Sequence, residues 1–239
     1  MEIKNRQGTL YLLPSPLSAN GVEDSLPPAT LRIIRELPVF IVEEIRTARR
    51  FLKKANPGID FGKIRFLIFN EHTDRFDYSS FLEPVEQGLD AGILSEAGLP
   101  CIADPVSVLV GLAHEKGICV VPLTGPSSLF LALMASGFNG QNFAFQGYLP
   151  VGQPDRHRRI KELEHSVYAL DQTQVFIETP YRNMQLFDTL IRTCRDDTRL
   201  CIACDLTSGT EQIMVRTIGE WKKSRPDLNK RPAVFLLYR

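Results

Sequence analysis

Residues 93–105, ILSEAGLPCIADP, begin as an apolar run and turn into a loop crowded with Gly, Pro and small or acidic residues. A short apolar run of this kind is typical of a strand buried in an α/β domain. Domains of that class bind ligands in the loops that follow their strands. The stretch therefore predicts an α/β fold with a ligand site in this loop.

Further short apolar runs occur through the first half of the chain, as is typical of strands buried on both faces of a sheet. Stretches with helical spacing lie between them. The predicted strands are 8–14, 39–43, 64–70, 91–95 and 118–123, and the predicted helices are 28–37, 44–55, 78–88 and 105–116. Because strand and helix alternate, we predict a doubly wound, mainly parallel sheet.

The second half of the chain is organised differently. Two predicted strands, 199–206 and 211–218, are separated only by a Ser-Gly turn, which indicates an antiparallel hairpin. The other predicted elements are helices 126–136, 154–168 and 182–195 and strands 142–147, 174–178 and 233–238. We therefore predict a second α/β domain with a mixed sheet and flanking helices.

Composition limits the function classes. The chain has 239 residues, of which 44% are apolar and 23% charged, as in ordinary globular proteins. No apolar run approaches the roughly 18 residues of a membrane span, and the N-terminus lacks a signal-peptide core, so we expect a cytoplasmic protein without a membrane partner. Cys201 and Cys204 form a CxxC inside an apolar strand without a second Cys or His pair, which favours buried structural thiols over a metal site.

Charge is balanced overall but clustered locally. The 28 basic and 28 acidic residues cancel, which argues against indiscriminate binding to nucleic acid. Basic clusters nevertheless occur at 46–54, 156–161 and 222–231. Solvated helix faces and a phosphate-bearing partner are both compatible with these clusters.

Several segments of the chain occur in the order and at about the spacing seen in a known superfamily. They are GTLYLLPSPLSAN (8–20), ILSEAGLPCIADP (93–105), VVPLTGPSSLFLALMASG (120–137), FAFQGYLP (143–150), FIETPYR (176–182) and IACDLT (202–207). By these segments the chain resembles the tetrapyrrole-methylase superfamily, and within it the ribosomal RNA small subunit methyltransferase I group. The resemblance extends over almost the whole chain.

The resemblance implies a homodimeric enzyme of two α/β domains, residues 1–122 and 123–239, with S-adenosylmethionine in the cleft between them. It implies ribosomal RNA or the small ribosomal subunit as partner, since the related enzymes methylate a ribose 2′-hydroxyl. Tetrapyrrole relatives instead methylate ring carbons. The cofactor contacts carried over by position are Pro14, Ser95, Gly98, Pro100, Ser127, Ser128, Tyr148, Leu206, Pro232 and Ala233.

Transfer of a methyl group from a sulfonium requires the acceptor atom to lie in line with the breaking bond, about 3 to 3.5 Å from the methyl carbon. A ribose hydroxyl must also lose its proton, so we expect a carboxylate or His near the cofactor. The candidate bases are Glu43, Glu44 and His72, and Arg46 and Arg182 are available to hold acceptor oxygens. The pair Glu44 and Arg46 is our first choice for the catalytic residues.

Each candidate has a structural alternative. Acids are favoured at the start of a helix without any catalytic role, which applies to Glu43 and Glu44. His72 lies in a polar loop, and Arg182 is spaced to pair with Glu178.

The chain also departs from the family pattern on the acceptor side. Segment 43–46 keeps an acidic residue and an arginine but lacks the threonine that is usual between them in the family. Segment 204–208 lacks two basic residues that the family usually has there. An RNA methyltransferase, a methyltransferase of tetrapyrroles or other small molecules, and a non-catalytic S-adenosylmethionine-binding protein therefore remain as hypotheses.

Overall fold

Two compact units make up the chain in the computed structural model, which describes residues 7–19, 21–70 and 72–239. The first unit ends at Ser127, and the second is Ser128–Arg239. The backbone of Leu123 still belongs to the first sheet, because its N–H donates to Leu12 O at 3.0 Å. The domain boundary after residue 122 stays a prediction.

The first unit contains a sheet of five described strands that are all parallel. They are β1 (Thr9–Leu13), β2 (Val39–Val42), β3 (Arg65–Ile68), β4 (Ala91–Leu94) and β5 (Cys119–Pro122). Their order across the sheet is β3-β2-β4-β1-β5, and each pairs with its neighbours in parallel register. The predicted parallel sheet is confirmed.

Helices pack on both faces of this sheet. They are α1 (Val22–Ser25), α2 (Pro28–Glu36), α3 (Ile45–Ala55), α4 (Glu83–Glu86) and α5 (Ser107–Glu115). Along β2 the buried side chains alternate, so that Val39 and Ile41 join a core that includes Leu109 of α5, whereas Phe40 joins a core that includes Leu52 of α3. Both faces of the strand are therefore buried, which explains its continuous apolar sequence and confirms the doubly wound arrangement.

The helix predicted over 78–88 is wrong in type and extent. The chain instead forms a 3₁₀ helix at Arg75–Leu82 and the single turn α4. Asp74 starts the 3₁₀ helix by accepting the Phe76 N–H at 3.0 Å. Pro84 has no N–H to donate to Ser80 O, and that carbonyl accepts instead from Glu83, three residues on. The proline therefore prevents one continuous α-helix.

The second unit contains a mixed sheet, as predicted. Its strands are β6 (Phe143–Tyr148), β7 (Thr173–Ile177), β8 (Arg199–Cys204), β9 (Gln212–Thr217) and β10 (Ala233–Tyr238), in the order β6-β7-β10-β8-β9. Strands β6 and β7 are parallel, whereas β10 runs antiparallel to β7 and β8, and β8 runs antiparallel to β9. The flanking helices are α6 (Ser128–Ser136), α7 (Gln153–Leu170), α8 (Asn183–Thr193) and α9 (Ile218–Trp221).

Helix α9 begins at Ile218, the last residue of the second strand predicted for the hairpin. Thr217 and Glu220 form a capping box, in which the Thr217 hydroxyl accepts the Glu220 N–H and the Glu220 carboxylate accepts the Thr217 N–H. The cap starts a helical turn that buries Ile218 and Trp221. Within the described residues, no helix has the length and apolar character needed to cross a membrane.

The CxxC pair of β8 contributes to packing. Cys204 belongs to the main core of the second unit together with Leu200 and Ile202, whereas Cys201, an odd number of positions away, points to the opposite face of the strand. Burial raises the pKa of Cys201 to about 12 and that of Cys204 to about 11. Two thiols on opposite faces of one strand cannot bind the same metal ion.

Candidate functional site

The loops that follow β1 and β4 lie at the point where the strand order of the first sheet reverses. Strands β1 and β4 are neighbours, but the chain goes from β1 towards β2 on one side and from β4 towards β5 on the other. Connections that diverge in this way leave a crevice at the carboxyl edge of the sheet, which is the usual ligand position in such folds. The loop 95–105, predicted as a ligand site, starts at this crevice.

Backbone hydrogen bonds join the two loops directly. Ser15 N–H donates to Gly98 O at 2.8 Å, and Gly98 N–H donates to Ser15 O at 3.0 Å. The Ser15 hydroxyl donates to Ser95 O at 2.6 Å. Gly98 has a φ of 73°, and a Cβ there would lie 3.1 Å from the Leu17 side chain. The crossing therefore requires a residue without a side chain.

A third loop, after β5, packs on the first. A Cβ added to Gly125 would lie 2.2 Å from Pro14 Cβ, so the two loops touch through the glycine. Thr124 O accepts the Thr30 hydroxyl at 2.9 Å, which fixes the same loop to α2. The first unit thus brings together the predicted cofactor contacts Pro14, Ser95 and Gly98 beside Gly125.

The other predicted contacts of this region lie close by in sequence. Pro100 is buried and precedes a turn in which Cys101 and Ala103 have positive φ. Ser127 is the last residue of the first unit, and Ser128 begins α6 in the second.

The second unit places its predicted cofactor contacts at one edge of its own sheet. Tyr148 at the end of β6 pairs with Ile177, and Ala233 at the start of β10 pairs with Cys204. Asp205 N–H donates to Pro232 O at 2.9 Å, which holds the loop that carries Leu206 beside the start of β10. The side chain of Tyr148 is 54% exposed, whereas Leu206 and Ala233 are buried.

Arg231 fastens the loop that carries Leu206. Its Nε donates to Asp205 Oδ2 at 2.7 Å, and one of its terminal nitrogens donates to Thr210 O at 2.8 Å. The carboxylate of Asp205 raises the pKa of Arg231 above its usual value. Asp205 and Thr207 adopt positive φ within the loop, and the Arg231 bonds hold this unusual backbone in place.

The suspected pairing of Arg182 with Glu178 is present. Nε and NH2 of Arg182 donate to Glu178 Oε1 at 3.0 and 2.7 Å, and this hydrogen bonding raises the pKa of Arg182. The Glu178 side chain is fully buried and also pairs with the fully buried Arg156 at 3.7 Å. Arg182 keeps a partly exposed side chain near Tyr148, at the same edge of the sheet.

A cleft of about 190 Å³ lies in the first unit beside the loops after β1 and β4. Its wall combines hydroxyl groups, apolar side chains, two cations and one carboxylate. It is lined by Ser15, Pro16, Ser18, Val22, Val42, Thr47, Ala48, Arg50, Phe51, Lys54, Leu94, Ser95 and Glu96.

The predicted catalytic pair Glu44 and Arg46 does not line this cleft. Glu44 caps α3, since its two carboxylate oxygens accept the N–H groups of Arg46 at 2.8 Å and Thr47 at 2.7 Å. These bonds lower the pKa of Glu44, which makes its carboxylate a weaker base. The structure thus gives Glu44 a capping role, and its catalytic role stays a prediction.

The two other candidate bases also lie outside the cleft. Glu43 lines a much smaller cavity of about 10 Å³ together with Asp104. His72 is exposed in its loop, where its N–H donates to Asn70 Oδ1 at 3.0 Å.

Of the charged residues that line the cleft, sequence reasoning missed Glu96 and included Arg50 and Lys54 only as members of the basic cluster at 46–54. Glu96 Oε1 accepts the Thr47 hydroxyl at 2.6 Å. Arg50 and Lys54 lie one helical turn apart on α3 and line the same cleft. A carboxylate can accept a hydroxyl proton, and neighbouring cations can hold a phosphate. Glu96 directly follows Ser95 in the predicted ligand loop, and this position is the sequence feature that could have identified it as a site residue.

Comparison with known sequences identifies the family. The family described as tetrapyrrole (corrin/porphyrin) methylases matches residues 20–222. Ribosomal RNA small subunit methyltransferase I of Escherichia coli O157:H7 is 28% identical over 236 residues, which are 98% of this chain and 78% of that protein. The protein of the same name from Pseudomonas aeruginosa is 29% identical over 89% of this chain and 71% of its own length.

Solved structures agree on the fold. Uroporphyrin-III C-methyl transferase from Thermus thermophilus, solved with S-adenosyl homocysteine, has a TM-score of 0.61 at 17% identity and covers 97% of this chain and 98% of its own. A diphthine synthase has a TM-score of 0.65 at 15% identity, covering 96% of this chain and 89% of its own. The resemblance seen in the sequence motifs is confirmed. The chain therefore belongs to the tetrapyrrole (corrin/porphyrin) methylase family of methyltransferases.

Proposed function

We propose that this protein transfers a methyl group from S-adenosylmethionine to a ribose 2′-hydroxyl of small-subunit ribosomal RNA. The observation that carries the proposal is that the loops after β1, β4 and β5 converge where the strand order of the first sheet reverses. The alignment with a ribosomal RNA methyltransferase, which covers 98% of this chain, supports the choice of acceptor. The methyltransferase activity follows from the family, whereas the acceptor is the proposed part.

The converging loops suit the cofactor because they present backbone rather than bulky side chains. Gly98 and Gly125 let the chain approach closely, and the serines at 95, 127 and 128 supply hydroxyl groups for a carboxylate and an amine. We propose that Pro14, Ser95, Gly98, Pro100, Ser127 and Ser128 contact it. Tyr148, Leu206, Pro232 and Ala233 are proposed contacts of the second unit, on the basis of the resemblance.

The proposed reaction has two requirements that the protein must meet. S-adenosylmethionine supplies an activated methyl group whose neutral thioether leaving group needs no proton. The chain therefore has to align the acceptor hydroxyl with the methyl group and to accept the hydroxyl proton. Glu44 and Arg46 remain proposed for the acceptor side, although the capping bonds make Glu44 a weaker base.

A homodimer is also part of the proposal. Three aromatic or apolar side chains of the second unit form an exposed patch: Phe130 is 53% exposed, Met134 78% and Phe143 38%, and the rings of Phe130 and Phe143 are in edge-to-face contact. Phe130 and Met134 lie one turn apart on α6. A second copy of the chain is the proposed occupant of this patch.

A small-molecule acceptor is the second candidate function. The zero net charge and the solved porphyrin methyltransferase of the same fold favour it. It predicts turnover with a diffusible acceptor and no salt-dependent RNA binding. Turnover with any acceptor excludes a non-catalytic binding protein.

Calorimetric titration with S-adenosylmethionine tests the cofactor site. We expect micromolar binding to the unaltered protein and none to Ser127→Trp, because the indole fills the proposed site. Ser224→Trp adds the same side chain at an exposed position of the second unit and serves as the matched control. No binding to the folded, unaltered protein would contradict the proposal.

A further inference from the structure

We propose that the cleft beside α3 binds a nucleotide unit of the acceptor RNA, with Arg50 and Lys54 on its phosphate and Glu96 on its ribose 2′-hydroxyl. The inference rests on the proposed function, because it assumes that RNA is the acceptor. It is an alternative to the acceptor-side pair Glu44 and Arg46, neither of which lines the cleft.

The two cations of the cleft lack the partners that neighbouring cations have. Among the described residues, neither Arg50 nor Lys54 forms an ion pair. By contrast, the Arg49 guanidinium lies over the rings of Phe61 and Phe66, and Lys53 Nζ donates to Pro57 O at 2.5 Å. Arg50 and Lys54 are therefore the cations of α3 that line the cleft, and no ion pair among the described residues holds either of them.

The spacing of these cations favours a bound anion. Residues four apart on a helix are neighbours on its surface, and like charges at this spacing destabilise a helix slightly. An anion between them removes that repulsion. A phosphate suits both, since a guanidinium can bind it through two N–H groups and an ammonium binds it as a point charge.

The rest of the cleft suits a sugar and a base better than a free phosphate. A volume of about 190 Å³ is more than ten times the roughly 10–15 Å³ that one water molecule requires, so the cleft exceeds the needs of a small anion. Val22, Val42, Phe51 and Leu94 form an apolar wall, and Ser15, Ser95 and Thr47 add hydroxyl groups.

Glu96 gives the cleft its preference for a hydroxyl group. Oε1 accepts the Thr47 hydroxyl, which fixes the carboxylate at the end of β4 beside the proposed cofactor loop. A carboxylate accepts a hydrogen bond from a sugar hydroxyl but repels a phosphate. The 2′-hydroxyl is also the group that distinguishes RNA from DNA. The cleft therefore combines a phosphate end and a hydroxyl end.

The first experiment measures binding of a fluorescent single-stranded fragment of small-subunit ribosomal RNA at several salt concentrations. For Arg50→Ala/Lys54→Ala we expect at least about tenfold weaker binding and a salt slope reduced by about 0.7, since both side chains are proposed to hold one phosphate and each phosphate neutralised on a single strand contributes about 0.7. Lys53→Ala/Lys63→Ala removes the same charge from exposed positions outside the cleft and is expected to change affinity less than about threefold.

Two further measurements make the result specific. S-adenosylmethionine binding, measured by calorimetry, is expected to be equal in both double variants, which also shows that they are folded. Glu96→Ala is expected to lose the preference of the unaltered protein for RNA over DNA of the same sequence. Inorganic phosphate is expected to compete only weakly with the RNA fragment, because it occupies only the phosphate end of the cleft.

The outcomes separate this inference from the proposed function. If the unaltered protein binds S-adenosylmethionine but not RNA, the RNA acceptor is wrong. If RNA binds and Arg50→Ala/Lys54→Ala matches its control in affinity and salt slope, the cleft is not the phosphate site. An unchanged preference for RNA in Glu96→Ala would overturn the role of Glu96.

Discussion

Gly125→Ala tests the convergence of the three loops. The added Cβ would lie 2.2 Å from Pro14 Cβ and 2.3 Å from its Cγ, whereas ordinary contacts begin at 3.4 Å. A proline ring has no flexible end that can turn away, so the loops after β1 and β5 have to separate by about 1 Å. Overpacking of this size costs about 1–3 kcal/mol of unfolding free energy.

The same separation should disturb the cofactor site, because Pro14 belongs to it. We expect S-adenosylmethionine affinity to fall by at least about tenfold, which corresponds to about 1.4 kcal/mol. Turnover should fall further, since a displacement of about 1 Å costs about 100-fold in rate. Urea denaturation and calorimetric titration of the same preparation measure the two effects.

Gly111→Ala is the matched control. Gly111 lies inside α5, and a Cβ there meets nothing within 4 Å. Alanine in a helix interior is more favourable than glycine by about 0.5–1 kcal/mol, so this variant should be more stable and bind the cofactor normally. If Gly125→Ala is as stable as Gly111→Ala and binds S-adenosylmethionine with the same affinity, the contact between the loops is not needed for the site.

Three other predictions concern stability and reactivity. Glu178→Gln leaves the buried Arg156 without its counter-charge and should lower the unfolding free energy by about 3 kcal/mol in urea denaturation; a loss below about 1 kcal/mol would contradict a buried pair. Because capping lowers the pKa of Glu44, its contribution is full above the unfolded pKa and disappears as the pH falls through the folded pKa. The stability gap between the unaltered protein and Glu44→Gln should therefore close below the ordinary value of 4.5, and a gap independent of pH would refute the capping account. A thiol reagent at neutral pH should modify the exposed Cys119 but modify Cys201, whose burial raises its pKa to about 12, only after denaturation; equal rates would show that β8 is not packed as described.

The first sheet was predictable because its strands are apolar on both faces. In β2 the residues Val39 to Val42 contribute alternately to two cores, so no polar position interrupts the pattern. The segment at 75–86 was not predictable to the same extent. Phe81, Leu82 and Val85 have a spacing that suits a helix, and the 3₁₀ geometry depends on the Asp74 cap and on the missing N–H of Pro84.

The site was only partly predictable for a different reason. Gly and Pro in a sequence indicate loops whose backbones can approach one another closely, and the loops that contain Gly98 and Gly125 do approach their neighbours closely. The role of a charged side chain depends on the direction in which it points, and a run of basic residues in the sequence does not indicate that direction. Arg50 and Lys54 enter the cleft, whereas Arg49 from the same cluster packs on aromatic rings.

Methyl transfer from radiolabelled S-adenosylmethionine to small-subunit ribosomal RNA transcribed in vitro, alone and assembled into subunits, tests the central proposal most directly. A methyl group on a ribose 2′-oxygen blocks alkaline cleavage of the adjacent phosphodiester. We predict that the label is incorporated and that, after alkaline hydrolysis, it is found in dinucleotides. Label in mononucleotides, or no incorporation by a protein that binds S-adenosylmethionine, would contradict the account.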